Sequence, residues 1–328
     1  MAAGAGERSL GLLSVVAPMY NEGPTAAAFA ERLNTALEGL NWELVAVDDG
    51  SVDETRDILD RLADADPRIK VIRLSRNFGH QAAITAGLDR ATGDAVVTID
   101  ADLQDPPEVI PQMVEEWKRG VSVVHGVRER RPGEPRWRLR MIKFFYRLFG
   151  RMARLETVGN SGDFRLIDRR AVGVLAQMPE RNRFLRGMSV WVGFEQSTVT
   201  YDRDARYAGE TKYPLHKLIE LAFDGIASFS YLPLRAAAIL GLIVSVLALG
   251  AIPFVIAWKI AGNYIPGIAS ITIVMLLLGG IQLLTIGVMG EYLGRSYEEL
   301  KRRPIYVVSD TRNLPPEGAS DVRDRRLD

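Results

Sequence analysis

The feature that most constrains the fold is a pair of long apolar runs near the carboxyl end of the chain. No Asp, Glu, Lys or Arg occurs at residues 236–258 or at residues 260–290. A helix needs about 20 apolar residues to cross a bilayer, and each run is longer than that. Soluble helices of this length keep a polar stripe, so two buried core helices are the weaker interpretation. We therefore predict a transmembrane hairpin over residues 233–292, with its turn at 259–267.

Basic residues flank the outer ends of the predicted hairpin. They are Lys212, Lys217, Arg235, Arg295, Lys301, Arg302 and Arg303. The connecting turn carries only Lys259. Because cytoplasmic flanks of membrane spans are enriched in Lys and Arg, we expect a multi-pass protein of the cytoplasmic (inner) membrane with both termini and its first part in the cytoplasm. The amino terminus does not have the basic and apolar regions of a secretory signal.

Composition excludes several classes of function. Lys and Arg total 41 and Asp and Glu total 41, so the formal net charge is zero and a nucleic-acid partner is not expected. The chain has no cysteine, which excludes disulfide scaffolds, thiolate catalysis and cysteine-ligated metal sites. Its three histidines are too few for a histidine-rich metal cage.

The first 130 residues alternate between strand-like and helix-like patterns. Short apolar runs that predict buried strands lie at 12–17, 43–47, 70–74, 95–99 and 121–125. Helical patterns separate them, at 25–40, 55–65, 81–91 and 107–119. Strands that alternate with helices form a parallel sheet covered on both faces. Ligands of such sheets bind outside the carboxyl ends of the strands, so the chemistry is expected directly after each apolar run.

Polar clusters follow three of these predicted strands, at residues 18–22, 48–51 and 100–105. An aspartate pair such as Asp100 and Asp102 can direct two carboxylates at one Mg²⁺ or Mn²⁺, which also accepts phosphate oxygens. A single pair is a weak signal, because acidic residues often end strands, but three clusters favour a binding site. The glycines at 4 and 6 precede the first strand, which disfavours a dinucleotide loop.

These motifs resemble those of the family-2 inverting glycosyltransferases. The matching segments are 17–22, 48–51, 76–80, 100–102, 103–107, 162–165 and 206–212. Together with the hairpin, they are similar to the polyprenyl-phosphate glycosyltransferases, which include bactoprenol glucosyltransferases and dolichol-phosphate mannose synthases. The resemblance covers roughly residues 12–300. It implies an α/β fold with a mainly parallel, GT-A-like nucleotide-sugar-binding sheet, amphipathic interface helices and a carboxyl-terminal two-helix transmembrane hairpin.

The expected domain organisation follows from these patterns. It consists of a flexible amino terminus (1–11), a cytoplasmic glycosyltransferase domain (12–210), a juxtamembrane amphipathic helix (211–232), the hairpin (233–292) and a cytoplasmic tail (293–328). Within the first domain, basic and apolar stripes at helical spacing predict an interface helix over 133–155. Ordinary core-facing helices remain the alternative for both amphipathic stretches. Three glycines of the second span, Gly287, Gly290 and Gly294, permit close helix packing, so a homo-oligomer stays open.

The resemblance implies a role for individual residues. The nucleotide sugar would contact Pro18, Tyr20, Glu22, Val47, Asp49, Asp100, Ala101 and Arg128. Mg²⁺ or Mn²⁺ would be held by Asp100, Asp102 and Gln104. The catalytic set would be Asp102, Asp163, Arg206 and Lys212. Cationic side chains of these sets suit phosphate oxygens, whereas Asp163 is either a catalytic group or the ion-pair partner of Arg165.

The implied reaction displaces a nucleoside diphosphate from a sugar, UDP-glucose or similar, by an oxygen of polyprenyl (undecaprenyl) phosphate at the lipid bilayer. Its product would be a polyprenyl-phosphate sugar for cell-envelope glycan modification. The acceptor is an anion near neutral pH, because a phosphomonoester loses its second proton near pH ~6. Three alternatives stay open: a GDP-mannose-dependent mannose synthase, a processive polysaccharide synthase and a non-catalytic membrane-tethered nucleotide-sugar binder.

Three further residues receive plain interpretations. His125 lies in an apolar run and is predicted to be a core residue. His80 follows a strand-end loop and either approaches substrate or is a satisfied loop histidine, and the satisfied histidine is preferred. Arg186 either lines a groove for lipid phosphate or is solvated, and the solvated interpretation is preferred.

Overall fold

The computed structural model describes residues 8–128, 161–181, 183–202, 232–261 and 267–314. The chain divides into two compact units, one of residues 1–218 and 304–328 and the other of residues 219–303. The predicted interface helix at 133–155 and nearly all of the predicted juxtamembrane helix at 211–232 lie outside the described residues.

Within the described residues, one mixed sheet of eight strands, in the order β7-β5-β6-β4-β1-β2-β3-β8, forms the centre of the first unit. Its strands are β1 (Leu13–Met19), β2 (Trp42–Asp48), β3 (Ile69–Leu74), β4 (Ala95–Thr98), β5 (Val123–Arg128), β6 (Ser161–Asp168), β7 (Gln196–Tyr201) and β8 (Val308–Arg312). The neighbours among β4, β1, β2 and β3 are parallel, as are β5 and β7. The predicted α/β class is confirmed, and the strands predicted from the five apolar runs correspond to β1 through β5.

Helices cover both faces of this sheet. They are α1 (Gly23–Ala36), α2 (Thr55–Ala65), α3 (His80–Arg90), α4 (Ile110–Lys118), α5 (Arg169–Gln177) and α6 (Leu185–Trp191). Every residue of β1 and β2 is buried, which explains why these strands are mostly apolar and do not alternate with polar residues. One core layer joins Val15 of β1 to Phe29 of α1 and Met113 of α4. On the opposite face, Gly87 of α3 lies directly against Val16.

Two strands of the sheet run antiparallel to their neighbours and were not predicted. Strand β6 pairs with both β4 and β5, and β8 pairs with β3. Both contain charged residues, which ion pairs and exposed positions accommodate in the sheet. Their place in the sheet depends on pairing with distant segments, which hydropathy along the chain does not report.

The amino-terminal segment is fixed from Arg8 onwards, so the predicted flexible terminus at 1–11 is too long. The Arg8 guanidinium donates to the carbonyl oxygens of Gly120 at 2.6 Å and Val121 at 3.1 Å. It also pairs with Asp168 at 3.0 Å and lies 5.5 Å from the centre of the Trp117 ring. These contacts attach the segment to the end of α4 and the start of β5.

The structure describes the predicted tail at 293–328 as far as residue 314. Helix α8 continues to Leu300, and β8 then adds an antiparallel strand to the edge of β3. An ion pair of 2.5 Å joins Asp310 to the buried Arg73, and the Tyr306 hydroxyl donates to Asp89 of α3 at 2.8 Å. The composition of this segment is that of a solvated tail. The segment can nevertheless join the sheet, because its partners are backbone groups of β3 and polar side chains.

The second unit contains two long helices, α7 (Leu232–Ile260) and α8 (Ile268–Leu300), which contact each other. Apolar windows at Leu234–Ala251 and Leu277–Leu300 have mean hydropathies of 2.2 and 1.3, and neither window is buried. Within the described part of the chain, these two helices are therefore long and apolar enough to cross a membrane, by length and composition only.

The tight contact between α3 and β1 predicts a stability effect. A Cβ atom on Gly87 would overlap Cγ1 of Val16, whose side chain is fully buried. We expect Gly87→Ala to lower the free energy of unfolding by about 1–3 kcal/mol, as overpacked cores do. Chemical denaturation of the purified protein in detergent measures this change.

The matched control is Gly173→Ala in α5, where a Cβ meets nothing within 4 Å. Alanine favours a helix over glycine by about 1 kcal/mol, so this variant should be neutral or more stable. Equal stability of the Gly87 and Gly173 variants would contradict the packing described for α3.

Candidate active site

The carboxyl ends of β1, β2 and β4 meet at one edge of the sheet. Met19 is opposite Asp48, and Val16 is opposite Thr98, so the segments after these strands emerge side by side. Strand β6 runs the other way, with Arg165 opposite Thr98, and therefore begins at this same edge. The pairing places Asp163 next to the segment that carries Asp100. Two parts of the predicted site, 63 residues apart in sequence, are thus adjacent.

The loops after β1 and β2 are linked by hydrogen bonds between Asn21 and the segment at 51–52. The Asn21 amide donates to the Ser51 hydroxyl at 3.0 Å, and the Val52 amide donates to the Asn21 side chain at 2.9 Å. Asn21 adopts a φ of 55°, a conformation that asparagine tolerates better than most residues. These links hold Tyr20 at the surface, where its side chain is 45% exposed. Tyr20 is thus available to contact a ligand.

The other predicted donor-site residues on these strands have supporting positions. Pro18, Val47 and Ala101 are buried and form the floor beneath the loops. Glu22 accepts a hydrogen bond of 2.7 Å from the Thr25 hydroxyl in the first turn of α1. Of these four residues, the three buried ones are shielded from a ligand by the loops, and their predicted contacts with the nucleotide sugar stay predictions.

Asp49 holds the loop between β3 and α3. Its carboxylate is 3% exposed and accepts hydrogen bonds from the amides of Phe78 at 2.7 Å and Gly79 at 2.9 Å. Burial raises the pKa of Asp49, although the two amide donors favour its ionised form. The neighbouring Gly50 has a φ of 73°, and a Cβ there would lie 2.6 Å from the carbonyl carbon of Arg76. Asp49 and Gly50 together place the loop that ends at His80.

His80 lies between the two carboxylates at the centre of the site. Its Nε2 atom is 3.5 Å from Asp100 Oδ1 and 3.3 Å from Asp163 Oδ2. Burial lowers the pKa of His80, but the hydrogen bond to Asp163 and the charges of both carboxylates outweigh this effect and raise it overall. His80 thus has polar partners, as the preferred interpretation of a satisfied histidine expected, and those partners are carboxylates of the candidate site. The alternative, that His80 approaches substrate, stays a prediction.

Asp163 is surrounded by cationic and amide donors. Arg165 donates to Oδ1 at 2.7 Å, Arg186 lies 3.9 Å from the same oxygen, and Gln81 donates to Oδ2 at 3.2 Å. Burial opposes ionisation of Asp163, but His80, Arg165 and Arg186 overcome it and hold its pKa well below the ordinary range. Asp163 is therefore an anion. The side chain of Arg186 is 22% exposed, so the prediction that it is merely solvated was wrong.

Arg128 is paired with a buried carboxylate. Its Nη2 atom lies 3.1 Å and 3.0 Å from the two oxygens of Asp105, and its Nε atom lies 3.2 Å from the hydroxyl of Tyr201. That hydroxyl donates to Asp105 at 2.6 Å. Burial lowers the pKa of Arg128, but Asp105 and Tyr201 raise it overall. Its guanidinium thus joins the segment between β4 and α4 to β5 and β7. The expected contact of Arg128 with phosphate stays a prediction.

The carboxylates after β4 suit a divalent cation. Burial raises the pKa of Asp100 to about 6; His80 lowers it, while the charges of Asp163, Asp105 and Asp102 raise it further. Asp102 accepts a hydrogen bond from the Gln104 amide at 3.1 Å. Among the described residues, no group of three or more His, Asp or Glu side chains is arranged as a metal site. The donor set nevertheless fits Mg²⁺ or Mn²⁺, which need one or two carboxylates when phosphate oxygens complete the coordination.

Some residues singled out in the sequence do not take part in the contacts described above. Arg206 and Lys212 lie outside the described residues. Gln104 is buried, and its side chain has no role in the hydrogen bonds described for this edge. His125 is fully buried beside β6, as predicted, and its Nε2 atom contacts Gln196 Oε1 at 2.9 Å.

The chain is similar to several known proteins. The sequence profile of Glycosyl transferase family 2 matches residues 14–175. An uncharacterized glycosyltransferase of Synechocystis sp. is 46% identical over 91% of this chain and 95% of that protein. The prophage bactoprenol glucosyl transferase homolog of Escherichia coli is 41% identical over 90% of this chain and 98% of that protein. The solved glucosyl-3-phosphoglycerate synthase from Mycobacterium tuberculosis, in complex with Mn²⁺, uridine diphosphate and phosphoglyceric acid, is 22% identical, with a TM-score of 0.46 over 66% of this chain and 76% of that one.

The environment of His80 predicts its titration in the ligand-free protein. Protonated His80 is favoured in the folded state, so its contribution to stability is full below the unfolded pKa of about 6.5 and is lost as pH rises through the raised pKa. NMR titration of the imidazole resonances should show a pKa above 6.5 for His80, and Asp163→Asn should lower that pKa.

His125 serves as an internal reference in the same experiment. Burial and the charge of Arg165 lower its pKa to about 4, so it should remain neutral from pH 5 to pH 8. The His80 resonance is assigned by its loss in His80→Gln. A His80 pKa at or below the free value would contradict the contacts with Asp100 and Asp163.

Proposed function

This chain belongs to glycosyltransferase family 2, and we propose that it transfers a sugar, with inversion, from a nucleotide sugar to polyprenyl phosphate. UDP-glucose or a close analogue is the proposed donor, and undecaprenyl phosphate is the proposed acceptor. The observation that carries the proposal is the meeting of Asp100, Asp102 and Asp163 at one edge of the sheet, with His80 between the first and the last. Relatives named bactoprenol glucosyl transferase, which align over nearly their full length, support a lipid-linked acceptor.

The donor is proposed to lie across the ends of β1, β2 and β4. Tyr20 offers an exposed aromatic face for the base, and Asp49 acts through the loop that it holds. Asp100 and Asp102 would hold Mg²⁺ or Mn²⁺, which would neutralise charge on the leaving diphosphate. Arg206 and Lys212 are proposed as further contacts to phosphate oxygens, because guanidinium and ammonium groups pair with them.

The chemistry requires one bond to form and one to break at the anomeric carbon. An oxygen of the acceptor phosphate forms the new carbon–oxygen bond, while the bond to the diphosphate breaks and its electron pair leaves with the nucleoside diphosphate. A phosphomonoester is largely a dianion above pH ~6, so no proton has to be removed from it. Stabilising charge in the transition state is therefore more important than general-base catalysis.

Asp163 is proposed to stabilise positive charge and not to act as a base. Arg165 and His80 keep its carboxylate ionised with a pKa far below that of a phosphate monoanion, so it is a poor proton acceptor. A fixed carboxylate next to the reacting carbon would instead stabilise the oxocarbenium-like charge that develops as the diphosphate leaves. The interactions that hold it in place would keep it at the same position throughout the reaction.

The membrane location is proposed from α7 and α8. A polyprenyl acceptor is dissolved in the bilayer, and a transmembrane hairpin over 233–292 would keep the enzyme at that surface. The excess of basic residues on the outer flanks supports a cytoplasmic position for both termini and for the catalytic domain at 12–210. The amphipathic stretches at 133–155 and 211–232 are proposed to contact the membrane surface.

The function predicts metal-dependent formation of a glycolipid. Purified full-length protein is incubated with undecaprenyl phosphate and a panel of radiolabelled nucleotide sugars, including UDP-glucose and GDP-mannose, and the label in the organic phase is counted. We expect label from a UDP-sugar with Mg²⁺ or Mn²⁺ and none after chelation. Polymer in place of glycolipid, or donor binding without any product, would refute the proposal.

Charge-removing variants connect this assay to the site. Asp102→Asn should remove most metal-dependent turnover, and Asp163→Asn should lower kcat by about 10²–10³, the range measured when one electrostatic contact to a transition state is lost. Asp57→Asn, on the exposed side of α2, makes the same chemical change away from the site and should retain full activity. A near-normal kcat for Asp163→Asn would remove this residue from the mechanism.

A further inference from the structure

The two oxygens of Asp163 face different groups. Oδ2 faces His80 at 3.3 Å and Gln81 at 3.2 Å, and the same His80 nitrogen lies 3.5 Å from Asp100. Oδ1 faces Arg165 at 2.7 Å and Arg186 at 3.9 Å. The Oδ2 side of Asp163 therefore faces His80, which contacts Asp100, one of the carboxylates proposed to hold the metal. The Oδ1 side faces two guanidinium groups.

The two arginines differ in what they can reach. Arg165 is 1% exposed, and its guanidinium donates to Ser189 Oγ at 3.0 Å and to the carbonyl of Gly162 at 3.1 Å. These contacts and the ion pair with Asp163 commit Arg165 to the interior. The side chain of Arg186 is 22% exposed and lies at the outer limit of ion-pair distance from Asp163. Arg186 is thus the guanidinium on this side that an incoming anion can contact.

The stereochemistry of an inverting displacement assigns an occupant to this side. The nucleophile and the leaving group lie on opposite sides of the reacting carbon, and the leaving diphosphate is proposed to lie with Asp100 and Asp102. An acceptor phosphate that approaches from the other side meets the negative charge of Asp163. A cation beside Asp163 is needed to offset this repulsion, and a guanidinium can pair with two phosphate oxygens at once.

We propose that Arg186 binds the phosphomonoester of the lipid acceptor, on the side of Asp163 away from Asp100. This assignment rests on the proposed function and specifies where its second substrate lies. Arg128 is less suited to the task, because Asp105 and Tyr201 surround its guanidinium. Arg186 lies in the first turn of α6, and the first amide of this helix, that of Leu185, donates to Gln81 Oε1 at 3.1 Å. The helix that presents Arg186 is thereby attached to the same glutamine that contacts Asp163.

Steady-state kinetics of full-length Arg186→Ala test the assignment. Undecaprenyl phosphate in detergent micelles is varied at saturating nucleotide sugar, and the donor is then varied at saturating acceptor. We expect the KM for the acceptor to rise at least about tenfold, equivalent to losing about 1.4 kcal/mol of binding, while the KM for the donor stays within about twofold. Arg186→Lys keeps the charge but loses the two-pronged geometry, so its acceptor KM should be intermediate.

Arg119→Ala is the matched control, because this arginine is 71% exposed and pairs only with Glu116 among its described contacts. Its two KM values should equal those of the unmodified protein. Melting temperatures verify that each variant is folded, and Arg186→Gln replaces the alanine variant if the latter unfolds.

Three results would overturn the assignment. An unchanged acceptor KM would exclude phosphate binding by Arg186, and a rise confined to the donor KM would mean that Arg186 binds the donor diphosphate. A fall in kcat with both KM values unchanged would mean that it acts only through Asp163. In all three cases the unmodified protein still makes glycolipid, so the proposed function survives. If the unmodified protein makes none from any donor, the proposed function and this assignment both fail.

Discussion

The candidate site depends on the antiparallel pairing of β6 with β4. This pairing sets Arg165 opposite Thr98 and so brings Asp163 to the edge where Asp100 emerges from the sheet. The parallel strands alone would supply the loops after β1, β2 and β4. They would not supply Asp163, which β6 places on the β5 side of Asp100. A shift of one residue in this register would turn Asp163 to the other face of the sheet and remove it from His80. The chemistry proposed here therefore starts from a backbone register and not from any single side chain.

That register concentrates like charges, and the rest of the site compensates for them. Asp100, Asp102, Asp105 and Asp163 lie near one another, and the charges of the other three raise the pKa of Asp100. Asp105 is neutralised by Arg128, and Asp163 by Arg165 with help from His80. Among the described ion pairs, Asp100 has only the one with the partly exposed His80, and the charge of the more distant Arg165 adds to it. This imbalance is the physical reason that the edge after β4 suits a divalent cation, whereas the region around Asp163 suits an anion held by Arg186.

The sequence predicted the parts of this arrangement that depend on local pattern. Apolar runs identified β1 through β5, because strands buried on both faces contain little else, and the strand-end rule located residues 18–22, 48–51 and 100–105. It did not predict β6 and β8 as strands, because their charged residues are accommodated by partners far along the chain, such as Asp310 with Arg73. For the same reason it missed the contacts of His80 and Arg186, and it did not predict that Asp49 holds a loop and that Arg128 pairs with Asp105. The family resemblance supplied Asp163 as a candidate, but only the fold shows which groups surround it.

The central claim is that Asp100 and Asp102 hold a cation against the leaving diphosphate while Asp163 lies on the other side of the reacting carbon. Anomalous scattering from manganese, in crystals of the full-length protein grown with Mn²⁺ and the nucleoside diphosphate, tests this claim most directly. The account predicts one peak in contact with both the carboxylates after β4 and the diphosphate oxygens, and none against Asp163. A bound diphosphate without that peak, or a manganese ion coordinated by Asp163, would contradict it.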